Sequence, residues 1–243
     1  MRIIRAFFMC LGMFTALPCP YRPWDEDARD WMLVTLPAVG LVVGALWAGL
    51  GWLGLRFLSP VAGALLAALP WALTGFIHLD GYMDTCDAIL SWRPLEKRLE
   101  ILKDSHTGAF AVVGIVILAM FSYGATSALG AEKLPALVFV PVVSRCGSAL
   151  SVLSLKPIGH SQYARMSGKL GQKIAVVCMW ALALGACWLW QGRRAASLLA
   201  ESLAYAGAMG WGYRTLQGVS GDVAGFALSV AECVAVMALA VAP

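Results

Sequence analysis

Apolar residues in this chain run in long, nearly unbroken stretches, and short loops between them gather most of the charge. Seven stretches stand out: Trp31 to Leu55, Phe57 to Leu79, Ser105 to Ala131, Leu134 to Leu155, Ile174 to Gly192, Ala195 to Tyr213 and Val223 to Ala242. Each is close to or above the roughly 20 residues a helix needs to cross the hydrocarbon core of a bilayer. Strands of a membrane barrel would alternate apolar and polar positions, whereas Ala109 to Phe121 is apolar throughout. The pattern predicts an all-α polytopic transmembrane helical bundle of about seven spans. Pro37, Pro70, Pro135 and Pro141 are places where a long stretch would kink or break. Two shorter elements read as interfacial helices. Ala6 to Tyr21 is too short for a full crossing. In Pro94 to Asp104, Leu95, Leu99 and Leu102 recur at helical spacing among Glu96, Lys97, Arg98, Glu100 and Lys103.

Composition agrees with this reading and removes others. Of 243 residues, 60% are hydrophobic and 13% charged, with a mean hydropathy of +0.76, too apolar for a soluble globule. No domain boundary, low-complexity tract or internal repeat is visible, so residues 1–243 read as a single integral membrane domain. The net charge of +4 is scattered over short loops, which points to membrane topology and not to a nucleic-acid partner. Seven cysteines form no C-x-x-C pair and lie mostly within apolar segments, as small core residues do. Arg2 and Arg5 ahead of an apolar run to Leu17 resemble a secretory signal, but Pro18 and Pro20 fit a cleavage site poorly. Gly40 and Gly44, with Gly49 nearby, make a face of small residues for close helix packing.

Basic residues also set the orientation. One set of alternate loops holds thirteen of the eighteen, the other holds Arg56, Lys133, Arg193 and Arg194, and Arg145 lies within a span. The positive-inside rule places the first set in the cytoplasm, at the cell inner membrane. Asp80, Asp84, Asp87, Asp104 and Asp222 lie on that same side.

The densest chemistry is in His78-Leu79-Asp80-Gly81-Tyr82-Met83-Asp84-Thr85-Cys86-Asp87. Carboxylates at i, i+4 and i+7 share one face of a helix, and their Cα atoms span roughly 10 Å along its axis. Three like charges so placed repel unless cations compensate, and Mg²⁺ suits a site of a few carboxylates completed by phosphate oxygens. A solvated acidic helix end is the plain alternative. His78 falls about 200° from Asp80 around the helix, as a structural residue or hydrogen-bond donor would. Lys103, Asp104 and Ser105 precede the third stretch. Asp104 and Ser105 would cap it, or Asp104 would serve as metal ligand or base while Lys103 neutralises phosphate. Gly108 permits a close approach. Arg145 is costly inside a span unless it has a partner, for which Glu201 and Glu232 are candidates. Asp222 sits in a glycine-rich turn as cap or contributor, and the basic loop His160 to Lys173 would attract anions.

His78-Leu79-Asp80-Gly81 through Asp84-Thr85-Cys86-Asp87, Glu100-Ile101-Leu102-Lys103-Asp104-Ser105, Ser144-Arg145 and Gly221-Asp222 resemble, in order and spacing, the cobalamin synthase or adenosylcobinamide-GDP ribazoletransferase family. Phe14-Thr15-Ala16-Leu17-Pro18 resembles its N-terminus. Ala88, His106-Thr107 and Ser229 depart from the usual residues; an acid is frequent at Ser229, and Glu232 is the nearer one here. The resemblance implies a cytosol-facing, Mg²⁺-dependent transfer of adenosylcobinamide phosphate from adenosylcobinamide-GDP to α-ribazole or its 5′-phosphate, releasing GMP. It implies Asp80, Asp84 and Asp87 as metal ligands, Asp104, Lys103 and Arg145 as catalytic residues, and Ser105, Ser144, Asp222 and His78 as substrate-binding positions. The bilayer is a partner, and an oligomer is compatible with the sequence. Two rival readings are a membrane prenyltransferase, which would need a second Asp-rich motif, and an ion-coupled secondary transporter, motivated by Arg145, Glu201 and Glu232.

Overall fold

A computed structural model describes residues 2–19, 24–58, 61–159 and 168–243. Helices dominate, and among the described residues the sole β-type pairing is an isolated bridge between Pro157 and Val219. The helices are α1 (Arg2–Phe14), α2 (Glu26–Arg29), α3 (Met32–Phe57), α4 (Ala62–Leu73), α5 (Ile77–Leu90), α6 (Leu95–Ile101), α7 (Ala109–Ser127), α8 (Val140–Ser154), α9 (Leu170–Gln191), α10 (Ala196–Leu216) and α11 (Gly221–Val241).

Five stretches are long and apolar enough to cross a membrane: Met32–Phe57, Ala109–Ser127, Leu134–Ser154, Leu170–Leu216 and Gly221–Val241. The 47 residues of Leu170–Leu216 are two helices, α9 and α10, interrupted by a short 3₁₀ turn at Gly192–Ala195. Trp180 Nε1 donates to Ser202 Oγ at 3.0 Å, so the chain folds back there as a hairpin. The expected second span, Phe57 to Leu79, is not a single straight helix. It breaks after α4, and α5 leaves at 92°. Thr74 turns its hydroxyl back onto the Pro70 carbonyl at 2.8 Å, and Gly75 and Phe76 follow with φ of +60° and +62°. Two successive left-handed residues cannot continue a right-handed helix, and only the first is a glycine.

Helices α8 and α11 form the axis of the bundle, with twelve of 15 and thirteen of 21 residues buried. Helix α9 buries only four of 22, and its Leu182 and Leu189 are 70% and 88% exposed, apolar side chains turned to the surroundings as lipid-facing positions are. Gly40 and Gly44 seat α3 against the start of α8. A Cβ on Gly40 would strike the Pro141 carbonyl, and one on Gly44 the Val138 carbonyl. Gly49 faces open space and takes no part. The seven cysteines form no disulfide among the described residues; six are buried, and Cys178 is exposed on α9. At 13 residues, about 20 Å, α1 cannot cross the apolar core. It buries Ala6, Met9 and Cys10 against Met32, Leu36 and Val39, while Arg5 pairs with Asp25 at 2.7 Å and holds that carboxyl below its ordinary range.

The bundle has two unlike poles, about 30 Å apart along the 21 residues of α11. At one, Lys133 Nζ donates to the carbonyls of Ala240 and Ala242, and Arg194 donates to those of Glu132 and Pro243. At the other, where α11 begins, lie α5, α6 and the end of α10, whose Thr215 carbonyl accepts from Arg98. Most of the basic loop His160 to Lys173 falls outside the described residues.

Candidate active site

Helix α5 carries the acidic motif, and burial rises along it: Asp80 is exposed, Asp84 half-buried and Asp87 buried. Two glycines bring α11 against it. A Cβ on Gly81 would lie 2.7 Å from Asp222 Cα, and one on Gly225 3.0 Å from the His78 carbonyl. No other residue type allows backbones this close. The approach sets Asp222 beside α5, so that the charged neighbours of Asp84 are Asp80, Asp222 and Asp87. Asp222 lies in the first turn of α11, where backbone N–H groups favour an anion. The cap of that helix is Ser220, whose Oγ accepts from Val223 N at 3.3 Å and donates to Asp222 Oδ2 at 3.2 Å. Asp222 is therefore not needed as a cap.

Asp87 is placed differently from the other acids. Its Oδ2 accepts from Gly108 N at 2.6 Å and its Oδ1 from Ala111 N at 3.0 Å. It thereby satisfies the orphan donors at the start of α7, a role that Asp104 and Ser105 seemed to offer. A Cβ on Gly108 would come within 2.5 Å of Asp87 Oδ1, so the glycine is required by this contact. Lys103, Asp104 and Ser105 form an exposed loop tied through Gly108 to the inner end of the acidic motif. Within it, Asp104 Oδ1 accepts from His106 N at 3.0 Å and lies 2.7 Å from His106 Nδ1. These contacts hold the Asp104 carboxyl below its ordinary range.

Ser144 and Arg145 are not in the acidic cluster. Arg145 Nη1 and Ser144 Oγ both donate to Glu232 Oε1 at 2.8 Å, joining α8 to α11 inside the bundle. The Arg145 and Glu232 side chains are 1% and 8% exposed. Glu232 is thus the intramembrane partner, and Glu201, fully buried on α10, stands outside this ion pair. His78 does not face the carboxylates. It stacks on Phe14, with ring planes 9° apart, and lines a cavity of about 150 Å³ that also has Leu36, Ile77, Ser148 and Asp222 in its wall. Asp222 therefore belongs to both the acidic cluster and this cavity. Phe14 escaped the sequence reading as a site residue, as did Ser220; neither carries a local chemical signature.

Among the described residues, no three His, Cys, Asp or Glu side chains already converge on one point as a closed metal cage would require. Asp80, Asp84 and Asp222 also make no ion pair with a basic side chain within 4.0 Å among those residues. The pole thus presents neighbouring carboxylates with which no basic side chain pairs among the described residues.

The family model described as cobalamin-5-phosphate synthase matches residues 6–240. A protein of Clostridium botulinum (strain Alaska E43 / Type E3) named adenosylcobinamide-GDP ribazoletransferase is 37% identical over 243 residues, covering 96% of this chain and 95% of its own. Proteins of the same name from Clostridium perfringens (strain 13 / Type A) and Geotalea daltonii are 32% and 31% identical, with at least 97% of each chain covered. No solved structure matches. With the match running across the acidic helix, the exposed Lys-Asp-Ser loop and the buried Arg-Glu pair alike, the chain belongs to the cobalamin-5-phosphate synthase family.

Proposed function

We propose that the protein transfers adenosylcobinamide phosphate from adenosylcobinamide-GDP to α-ribazole or α-ribazole 5′-phosphate, releasing GMP, in the last steps of cobalamin biosynthesis. The observation that carries this reading is the group Asp80, Asp84 and Asp222, brought together by the contact of α5 with α11 and without a basic partner among the described residues. Hard carboxylate oxygens with open lone pairs fit Mg²⁺, which needs only one or two of them when water and phosphate oxygens complete its shell. Asp80, Asp84 and Asp222 would hold the ion. Asp87, with an N–H on each oxygen, contributes mainly by fixing the second motif, though each oxygen keeps a lone pair. When bound, the metal supplies charge neutralisation on the diphosphate.

A ribose hydroxyl of the acceptor attacks the phosphorus nearest cobinamide in line. The new O–P bond forms as the P–O bond to GMP breaks, and the hydroxyl proton leaves to the Asp104 carboxylate. Lys103 offsets charge on the departing GMP, and Ser105 lies beside it on the same exposed loop. The guanidinium of Arg145 is committed to Glu232, so Arg145 and Ser144 act by fixing α8 against α11. That pairing also takes up Arg145 and Glu232, two of the three intramembrane groups that motivated a transporter. The site faces the cytoplasm of the inner membrane under the positive-inside rule.

The test is release of GMP by the purified, detergent-solubilised protein. Turnover should require both Mg²⁺ and α-ribazole, and Asp84→Ala should lower kcat/KM by about 100-fold or more, the scale of a lost charge-stabilising group. Absence of GMP release from the unaltered chain, or full activity of the variant, overturns the reading.

A further inference from the structure

Beside the acidic group lies a space that the transfer chemistry above does not use. We infer that the cavity walled by Phe14, Leu36, Ile77, His78 and Asp222 receives the flat aromatic base of the acceptor nucleoside, and that Phe14 and His78 determine which base is accepted. The inference rests on the proposed transferase activity and adds to it the position of one substrate.

Three features carry it. The cavity is about 150 Å³, the volume of an apolar cavity that takes up benzene, so the six-membered ring of a flat fused base fits within and a corrin macrocycle does not. Its walls are mostly aliphatic or aromatic, with the Phe14 and His78 rings nearly parallel. His78 Nε2 is buried with no hydrogen-bond partner among the described residues. A buried ring nitrogen left unpaired is costly, and with the ring proton placed on Nε2 it calls for a ligand with an acceptor.

A benzimidazole-type base meets these conditions. Its fused carbocycle is apolar, and its one unsubstituted ring nitrogen accepts a single hydrogen bond, here from His78 Nε2–H. Guanine would bring several donors and a carbonyl to aliphatic walls and leave most of them unpaired. Asp222 lines the same cavity and neighbours the other carboxylates, so the ribose of a base seated here emerges at the acidic cluster. The reacting hydroxyl then faces the diphosphate.

The experiment uses the full chain in detergent. KM is measured separately for α-ribazole and for adenosylcobinamide-GDP, and equilibrium dialysis with labelled α-ribazole reads binding without turnover. Leu36→Phe fills the cavity from α3 and should raise KM and Kd for α-ribazole about tenfold, with KM for the GDP substrate unchanged. A riboside of unmethylated benzimidazole should recover part of the loss. His78→Leu should weaken α-ribazole by about tenfold and His78→Asn by less, since asparagine keeps a donor. Should these variants fail to fold, an α-ribazole analogue with an azide on its base should, on illumination of the unaltered chain, label α1, α3 or α5. Labelling elsewhere, an unchanged Kd in Leu36→Phe, or a rise in KM for the GDP substrate instead would overturn the inference. An unaltered chain that binds α-ribazole but releases no GMP would sink the transferase reading and leave the pocket standing.

Discussion

Arg145 and Glu232 are a charged pair taken out of water, and the energy of such a pair lies mostly in what happens when it is split. Removing one partner leaves an uncompensated buried charge, at about 3–5 kcal/mol, whereas replacing both with apolar side chains removes the cost along with the attraction. Arg145→Met and Glu232→Leu should each lower the unfolding temperature in detergent strongly, and the double variant should unfold above either single. Additive losses would show that the pair is not the stabilising unit. Asp104 yields a pH prediction. His106 favours its charged form, so a step needing the carboxylate is retained until pH falls through that lowered pKa. In His106→Ala the pKa returns toward its ordinary value, and the acid limb of kcat/KM should move to higher pH. A limb that stays in place would remove Asp104 from the proton transfer.

Between elements, much of the site depends on contacts that local sequence rules cannot see. The three-carboxylate face of α5 was legible, because helical spacing alone places i, i+4 and i+7 together. The division of labour within it was not: Asp87 caps α7 from 21 residues away, and no local capping pattern records that. The break in this stretch was half legible: Pro70 marked it as one that would kink or break, but that proline lies inside α4 and the turn falls at Gly75-Phe76. Loss of the distant cap has a readable effect. Asp87→Ala removes the acceptor for two α7 donors, worth about 1–2 kcal/mol, and releases the loop ahead of it. Trypsin should then cut after Lys103 faster than in the unaltered chain, with the remaining sites cut at unchanged rates. Equal cleavage at Lys103 would mean that the loop is held by something else.

For the whole molecule, the apolar runs located the membrane helices well because a bilayer leaves few choices: each crossing must satisfy its own backbone. Ile174 to Gly192 and Val223 to Ala242 became Leu170–Gln191 and Gly221–Val241, shifts of a few residues at the ends. Sequence alone could not say which helices form the axis, since α9 is nearly as apolar as α11 and differs in what surrounds it. The clasp at the far pole has a practical consequence. Because Lys133 and Arg194 hold the carbonyls of Ala240, Ala242 and Pro243 about 30 Å from Asp222, a reporter joined after Pro243 should emerge on the side away from the acids. Alkaline phosphatase fused there should be exported and active, while a green fluorescent protein at the same point stays dark; the reverse pattern would turn the whole bundle over.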